Sequence, residues 1–187
     1  MKLDLSLPEL VNEAETISSD VQSTFGHLNA EQLNWKPTPD SWSVAQCLDH
    51  LLNANTKMLG VFEPVINGQK RTSLVEQLPL LPGLFGRIMI KAVSPQGKQK
   101  LKAPQTAAPS SSQLDAQIVS RFLAKQQEVS QKLKAVEGLN ADKVIVTSPF
   151  LSFITYSLLD AARIMVVHER RHFEQAQRVM AMEGFPN

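Results

Sequence analysis

Cysteine is the scarcest residue here: the 187 residues contain only Cys47. A single cysteine forms no internal disulfide and no cysteine-based zinc cluster. Long apolar runs are missing too. No uncharged stretch reaches the ~18 residues of a membrane span. The start, MKLDLSLPEL, is broken by Asp4, Pro8 and Glu9, so no signal peptide is expected. Net charge is only +1, so no bulk field calls for nucleic acid or an anionic membrane, and no aromatic-basic motif for nucleic acid is present. Strand-like alternation is almost absent, and no repeat at a fixed period is evident. What remains is 43% apolar and 20% charged. That composition describes a soluble globular chain, expected as one domain over residues 1–187 with the reducing cytoplasm as its default location.

Charge is short of one sign locally. Met1 to Glu63 holds 9 acids and 3 bases, Pro64 to Lys134 holds 3 and 11, and Ala135 to Asn187 holds 6 and 5. Between Gln77 and Leu114 there is no acid at all. The basic middle reads either as a wall that binds anions, with Arg87, Lys91, Lys98, Lys100 and Lys102, or as a solvated face complementary to the acidic first third.

What is present is helical periodicity. Leu7, Leu10, Val11, Ala14, Ile17, Val21 and Phe25 form one apolar stripe, predicting a helix from about Leu7 to Leu28. A loop rich in proline follows, with Trp35 and Trp42. Ser43 and Gln46 then make a capping box, with Trp42 and Cys47 placed for a hydrophobic staple, and open a second helix that Gly68 closes. From Gln69 to about Ser112 five prolines forbid a continuous helix, although GLFGRIMIKAV suits a short apolar one. A middle this long needs a reason: its apolar residues from Leu80 to Ile90 must lie against the site, the bundle or a partner subunit. A third helix fits Gln113 to Val136. DKVIVTSPFLSF reads as loop or short strand. A fourth helix starts near Ser157, favoured by Asp160, and runs to about Glu183. The sum is all-α: an antiparallel four-helix bundle with long connections and a short extra helix in the middle.

The chemistry concentrates in histidine. VVHERRHFEQ places His168 and His172 four apart, on one face of a helix and able to aim at one ion. With Glu169 the letters spell H-E-x-x-H, the zinc-protease pattern. That reading fails downstream: the residue three after His172 is Gln175, not glycine, and the sixth is Arg178, not histidine. The only later acids, Glu174 and Glu183, ride the same helix. A third ligand must therefore come from upstream. His50, inside the second helix at the margin of its apolar stripe, is the natural candidate, whereas His27 sits at the tip of the first. Glu169 lies roughly a quarter turn off the histidine face, as a general base or as a partner for an imidazole or a nearby arginine. Gln175 stays near the ligand face, to hold a water or to make a plain contact between helices.

At these residues a resemblance appears. WSVAQCLDHLLNAN resembles the second-helix motif of DinB-like proteins, in which a Trp-Ser pair precedes a ligand histidine. HERRHFEQAQRV resembles the family's last-helix motif, His-x-x-x-His-x-x-Gln, and LNWKPTPDSWSV is similar to the segment leading into the second helix. The likeness covers nearly the whole chain, least of all the middle segment. It implies a four-helix bundle with three histidine ligands to a divalent metal, carried here by His50, His168 and His172. Three imidazoles leave an open position, the pattern of a catalytic site, and suit Zn or Ni best, with Fe, Mn or Cu compatible. Such an ion acidifies a bound water or holds a thiol as thiolate. Some relatives are transferases or isomerases that use a low-molecular-weight thiol, others have been labelled metal-dependent hydrolases, and many have no known reaction. The expectation is a metal-dependent enzyme acting on a small-molecule substrate or thiol. The alternative is a stress-associated binding or scaffold protein with a structural or vestigial metal. Family habit and the apolar middle suggest a homodimer.

Overall fold

The computed structural model describes residues 2–78, 81–97 and 104–186. Six α-helices carry the chain: α1 (Leu7–Phe25), α2 (Ala30–Asn34), α3 (Val44–Ile66), α4 (Leu81–Val93), α5 (Ile118–Ala135) and α6 (Leu158–Met180). One antiparallel pair of short strands, β1 (Ile145–Thr147) and β2 (Thr155–Ser157), sets Val146 opposite Tyr156.

The four long helices close a ring in which α1 and α3 each pack against both α5 and α6. Their predicted stripes make the core. Leu10, Val11, Ala14, Ile17, Val21 and Phe25 of α1 are buried, as are Ile118, Phe122, Val129 and Leu133 of α5. The caps behave as their sequences require. Ser43 Oγ accepts the Gln46 N–H at 3.1 Å, and Ser157 Oγ accepts the Asp160 N–H at 3.0 Å. The protein is all-α apart from the two short strands, as expected.

Element ends differ from the sequence reading by a few residues. α1 stops at Phe25, and Asn29 starts α2 with its own capping box. α5 begins at Ile118 rather than Gln113 because Asn34 holds the backbone before it, bonding to both the N–H and the C=O of Leu114. α6 ends at Met180, and Gly184 turns the chain at φ +84°.

The middle segment supplies α4, which packs on α6 and β2. Gly86 permits that approach, since a Cβ there would lie 2.3 Å from Asp160 Oδ2. Residues 104–111 then lie along α3. Asn53 donates to Ala108 O at 3.2 Å, Gln46 donates to Ser111 O at 3.1 Å, and the Ser110 N–H donates to Asp49 at 2.6 Å. At the other end, Arg171 Nη1 of α6 donates to the carbonyls of Ala92, Ser94 and Gly97. The segment is thus pinned to both helices that carry the histidines. Lys98, Lys100, Lys102 and Leu80 lie outside the described residues.

Candidate metal centre

α3 and α6 pack side by side, and their facing turns bring His50, His168 and His172 together. One ring nitrogen from each lies within 4.8 Å of the other two. Among the described residues this is the one such cluster of three or more histidine, cysteine or acidic side chains. His27 is exposed and takes no part in it, and Cys47 is buried in the core with its thiol pushed up to about 12 by burial.

The rings are oriented from outside. Nδ1 of His50 faces the carbonyl of Ala107 at 2.5 Å. A carbonyl only accepts, so this contact puts the His50 proton on Nδ1 and leaves the Nε2 lone pair facing inward. Across the site, His50 Nε2 and His168 Nε2 stand 3.2 Å apart. Two nitrogens ~2.0–2.1 Å from a tetrahedral zinc would be separated by about 3.3 Å, so the spacing suits a shared ion. Trp42 covers the far side. Its ring is 4.9 Å from that of His50 and stacks on His172 at 5.7 Å and 27°.

Burial keeps the triad neutral. His50 is 3% and His172 8% exposed. Loss of solvent is the largest influence on all three rings and pushes each below the ordinary imidazole value. For His168 the neighbouring imidazoles and Arg171 add to it; His172 is lowered to about 3, with the Gln175 side chain acting the other way. For His50 the Ala107 carbonyl and Asp49 oppose the shift. Nδ1 of His172 is buried and makes no hydrogen bond. Three neutral imidazoles with converging nitrogens form a donor set for a cation, and the residues fit one.

The remaining candidates divide. Gln175 lines the cavity beside the triad. Glu169 is fully buried on another face of α6, where its Oε1 accepts from Asn55 Nδ2 at 2.7 Å. Burial pushes its carboxyl up to about 7, against the Gln126 and Asn55 side chains. Arg87 and Lys91 are exposed on α4, and neither lines the cavity. The helix turns Met89, Ala92 and Val93 inward instead, and among the described residues the cations facing the cavity are Arg171 and Arg178. Among the described residues two bases of the middle third meet acids of the first third, Lys132 with Glu63 and Lys134 with Glu15.

A cavity of about 990 Å³ opens onto the three rings. Sequence reasoning had placed Trp42 only as a helix staple, and it missed the Ala107 carbonyl, Arg171 and Arg178. The Trp-Ser pair was the available signal for Trp42. A backbone carbonyl contributed by a loop leaves none.

A family model of the DinB superfamily matches residues 14–176. The chain belongs to the DinB superfamily. That superfamily is metal-associated, and the match takes in all three histidines. No curated protein and no solved structure gives a significant match. None of the helices described is long and apolar enough to cross a membrane.

Proposed function

We propose that this DinB-superfamily chain is a metal-dependent enzyme, a transferase or hydrolase, whose ion is held by His50, His168 and His172. The observation that carries the reading is access: the triad, with His50 and His172 buried and His168 half-buried, faces a cavity large enough for a small molecule or thiol. A divalent ion held there, zinc or nickel by ligand type, supplies a Lewis acid that makes water or a thiol a nucleophile near neutral pH. The protein's own part is to keep three imidazoles neutral, to fix the His50 tautomer through Ala107 and to shield the rings with Trp42. Gln175, next to the triad, is placed to orient a substrate polar group. Glu169, turned toward Asn55, is left without a direct part in the chemistry.

A scaffold with a sealed structural ion is the rival, and it needs α4 to close the site. α4 instead forms one wall of the cavity through Met89, Ala92 and Val93, which favours the enzyme. We take residues 1–187 as one cytoplasmic domain. The exposed Leu84 and Ile88 of α4 would suit a second copy in a homodimer.

The test is cobalt substitution followed by titration with low-molecular-weight thiols. A tetrahedral cobalt spectrum that gains a thiolate-to-metal band supports the thiol reading. A spectrum unmoved by thiols but moved by pH near neutrality supports water. A spectrum moved by neither speaks for the scaffold.

A further inference from the structure

The cavity extends well beyond the triad, and its shape follows α6. Met165, His168, His172, Gln175 and Arg178 follow one another along the helix at spacings of three and four, and all five line the cavity. Met165 and Arg178 are 13 residues apart, about 20 Å along the axis at ~1.5 Å per residue. The histidines fall between them. The two ends of this lining differ in chemistry.

Toward Met165 the wall is apolar, with Met58 and Ala54 of α3 and Met89 of α4. Counting Met182 at the opposite end, four of the chain's six methionines line this one cavity. Methionine is flexible and polarisable and conforms to apolar guests of varied shape. Met58 is 3% and Met165 1% exposed, so this end of the lining lies in the core.

Toward Arg178 the lining gains polar groups, Gln175 on α6 and Asp40 and Ser41 from the loop before α3, beside Val179 and Met182. Arg178 is exposed and makes no ion pair or hydrogen bond among the described residues. Arg171 adds a second guanidinium, fixed by its bonds to the carbonyls of Ala92 at the end of α4 and of Ser94 and Gly97 beyond it. Against these two cations, Asp40 is the one acid on the lining among the described residues. The wall therefore favours an anion, and a bound cation in the triad would strengthen that preference.

We infer that the cavity takes a small amphipathic carboxylate, whose apolar body lies in the methionine-walled end and whose acid group is held by Arg178. This inference rests on the enzyme reading for the ion, but its anchor is a residue outside the triad. A guanidinium grips a carboxylate with two parallel hydrogen bonds, and lysine at the same place keeps the charge but loses the fork. The ligand would then pass the three histidines along its length, which puts the bond to be changed near them and away from both ends.

The experiment is calorimetric titration of the zinc-loaded full chain with decanoate, decanamide and acetate, on the native protein, Arg178→Ala and Arg178→Lys. Arg178 is exposed, so its replacement leaves the fold intact, checked by the thermal midpoint. Decanoate is expected to bind, decanamide at least about tenfold more weakly, and acetate not measurably at the same concentrations. Arg178→Ala is expected to weaken decanoate about 10- to 100-fold while leaving decanamide and zinc content unchanged, and Arg178→Lys to lose less. The same titration on metal-free protein separates the two readings. Failure to take up zinc counts against the triad as a metal site, while loss of decanoate binding in metal-free Arg178→Ala still upholds the cavity assignment. The inference is overturned if decanoate does not bind, or if it binds equally to Arg178→Ala. It is likewise overturned if removal of zinc abolishes binding while Arg178→Ala leaves it within twofold, since the acid group then sits on the metal.

Discussion

Lowering the pH of the metal-free protein from about 7.5 to about 5.5 sets two kinds of buried group against each other. The three imidazoles are pushed down by burial, His172 to about 3. Unfolded, they take up protons near 6.5; folded, they resist them. Their contribution to stability is complete well above 6.5 and is lost as the pH falls below it. A ring that stays neutral in the fold costs about 1.4 kcal/mol at pH ~5.5, and three cost at most about 4 kcal/mol. Glu169 works in the opposite sense. Its carboxyl is raised from 4.5 to about 7, chiefly by burial. The folded state takes up that proton first, so acidification over the same interval restores about 2 kcal/mol. The native metal-free protein should therefore lose at most about 2 kcal/mol, and Glu169→Gln, which removes the offset, about 2 kcal/mol more than the native protein. The glutamine keeps an acceptor for Asn55, so the packing survives. Urea unfolding in the presence of a chelator at the two pH values measures both losses. Equal losses in the two proteins would refute the neutralisation of Glu169 on folding. No loss in either would refute the burial of three neutral imidazoles.

Trp42→Ala removes the ring stacked on His172 and packed beside His50, and should weaken zinc about tenfold in a chelator competition while Trp42→Phe retains most of the affinity. Gly97→Ala places a Cβ 2.7 Å from both the Ala92 carbonyl and Arg171 Nη1, and should cost about 1–3 kcal/mol in urea unfolding. Gly60→Ala, inside α3 with nothing within 4 Å of the new Cβ, should instead stabilise by about 0.4–1 kcal/mol in the same assay.

Much of this molecule was legible because periodicity reports burial. The apolar stripes of α1, α3, α5 and α6 are the faces that pack, and Ser43 and Ser157 cap where their neighbours indicated. The triad was legible for a related reason. His168 and His172 share a helix face by spacing alone, and the site then needed one more ligand from a facing helix. Glu169 was misleading because a motif of letters carries no direction: a quarter turn takes it away from the rings and into contact with Asn55. The middle segment was opaque for the opposite reason. Its contribution to His50 is the backbone carbonyl of Ala107, placed by hydrogen bonds that Asn53 and Gln46 donate to neighbouring carbonyls and that Asp49 accepts from Ser110, and every residue type carries such a carbonyl. Arg87 and Lys91 matched the charge expected of an anion wall, but only the packing of α4 decides which of its residues face the cavity.

The most direct test of the metal centre is stoichiometry. The native chain, stripped with chelator, reloaded with zinc and freed of excess, is assayed by elemental analysis beside His50→Ala, His168→Ala and His172→Ala. One ion per native chain, with uptake lost in each variant and circular dichroism unchanged, is the expected result. Full occupancy in His172→Ala, or none in the native protein, would contradict the assignment of the three histidines as one site.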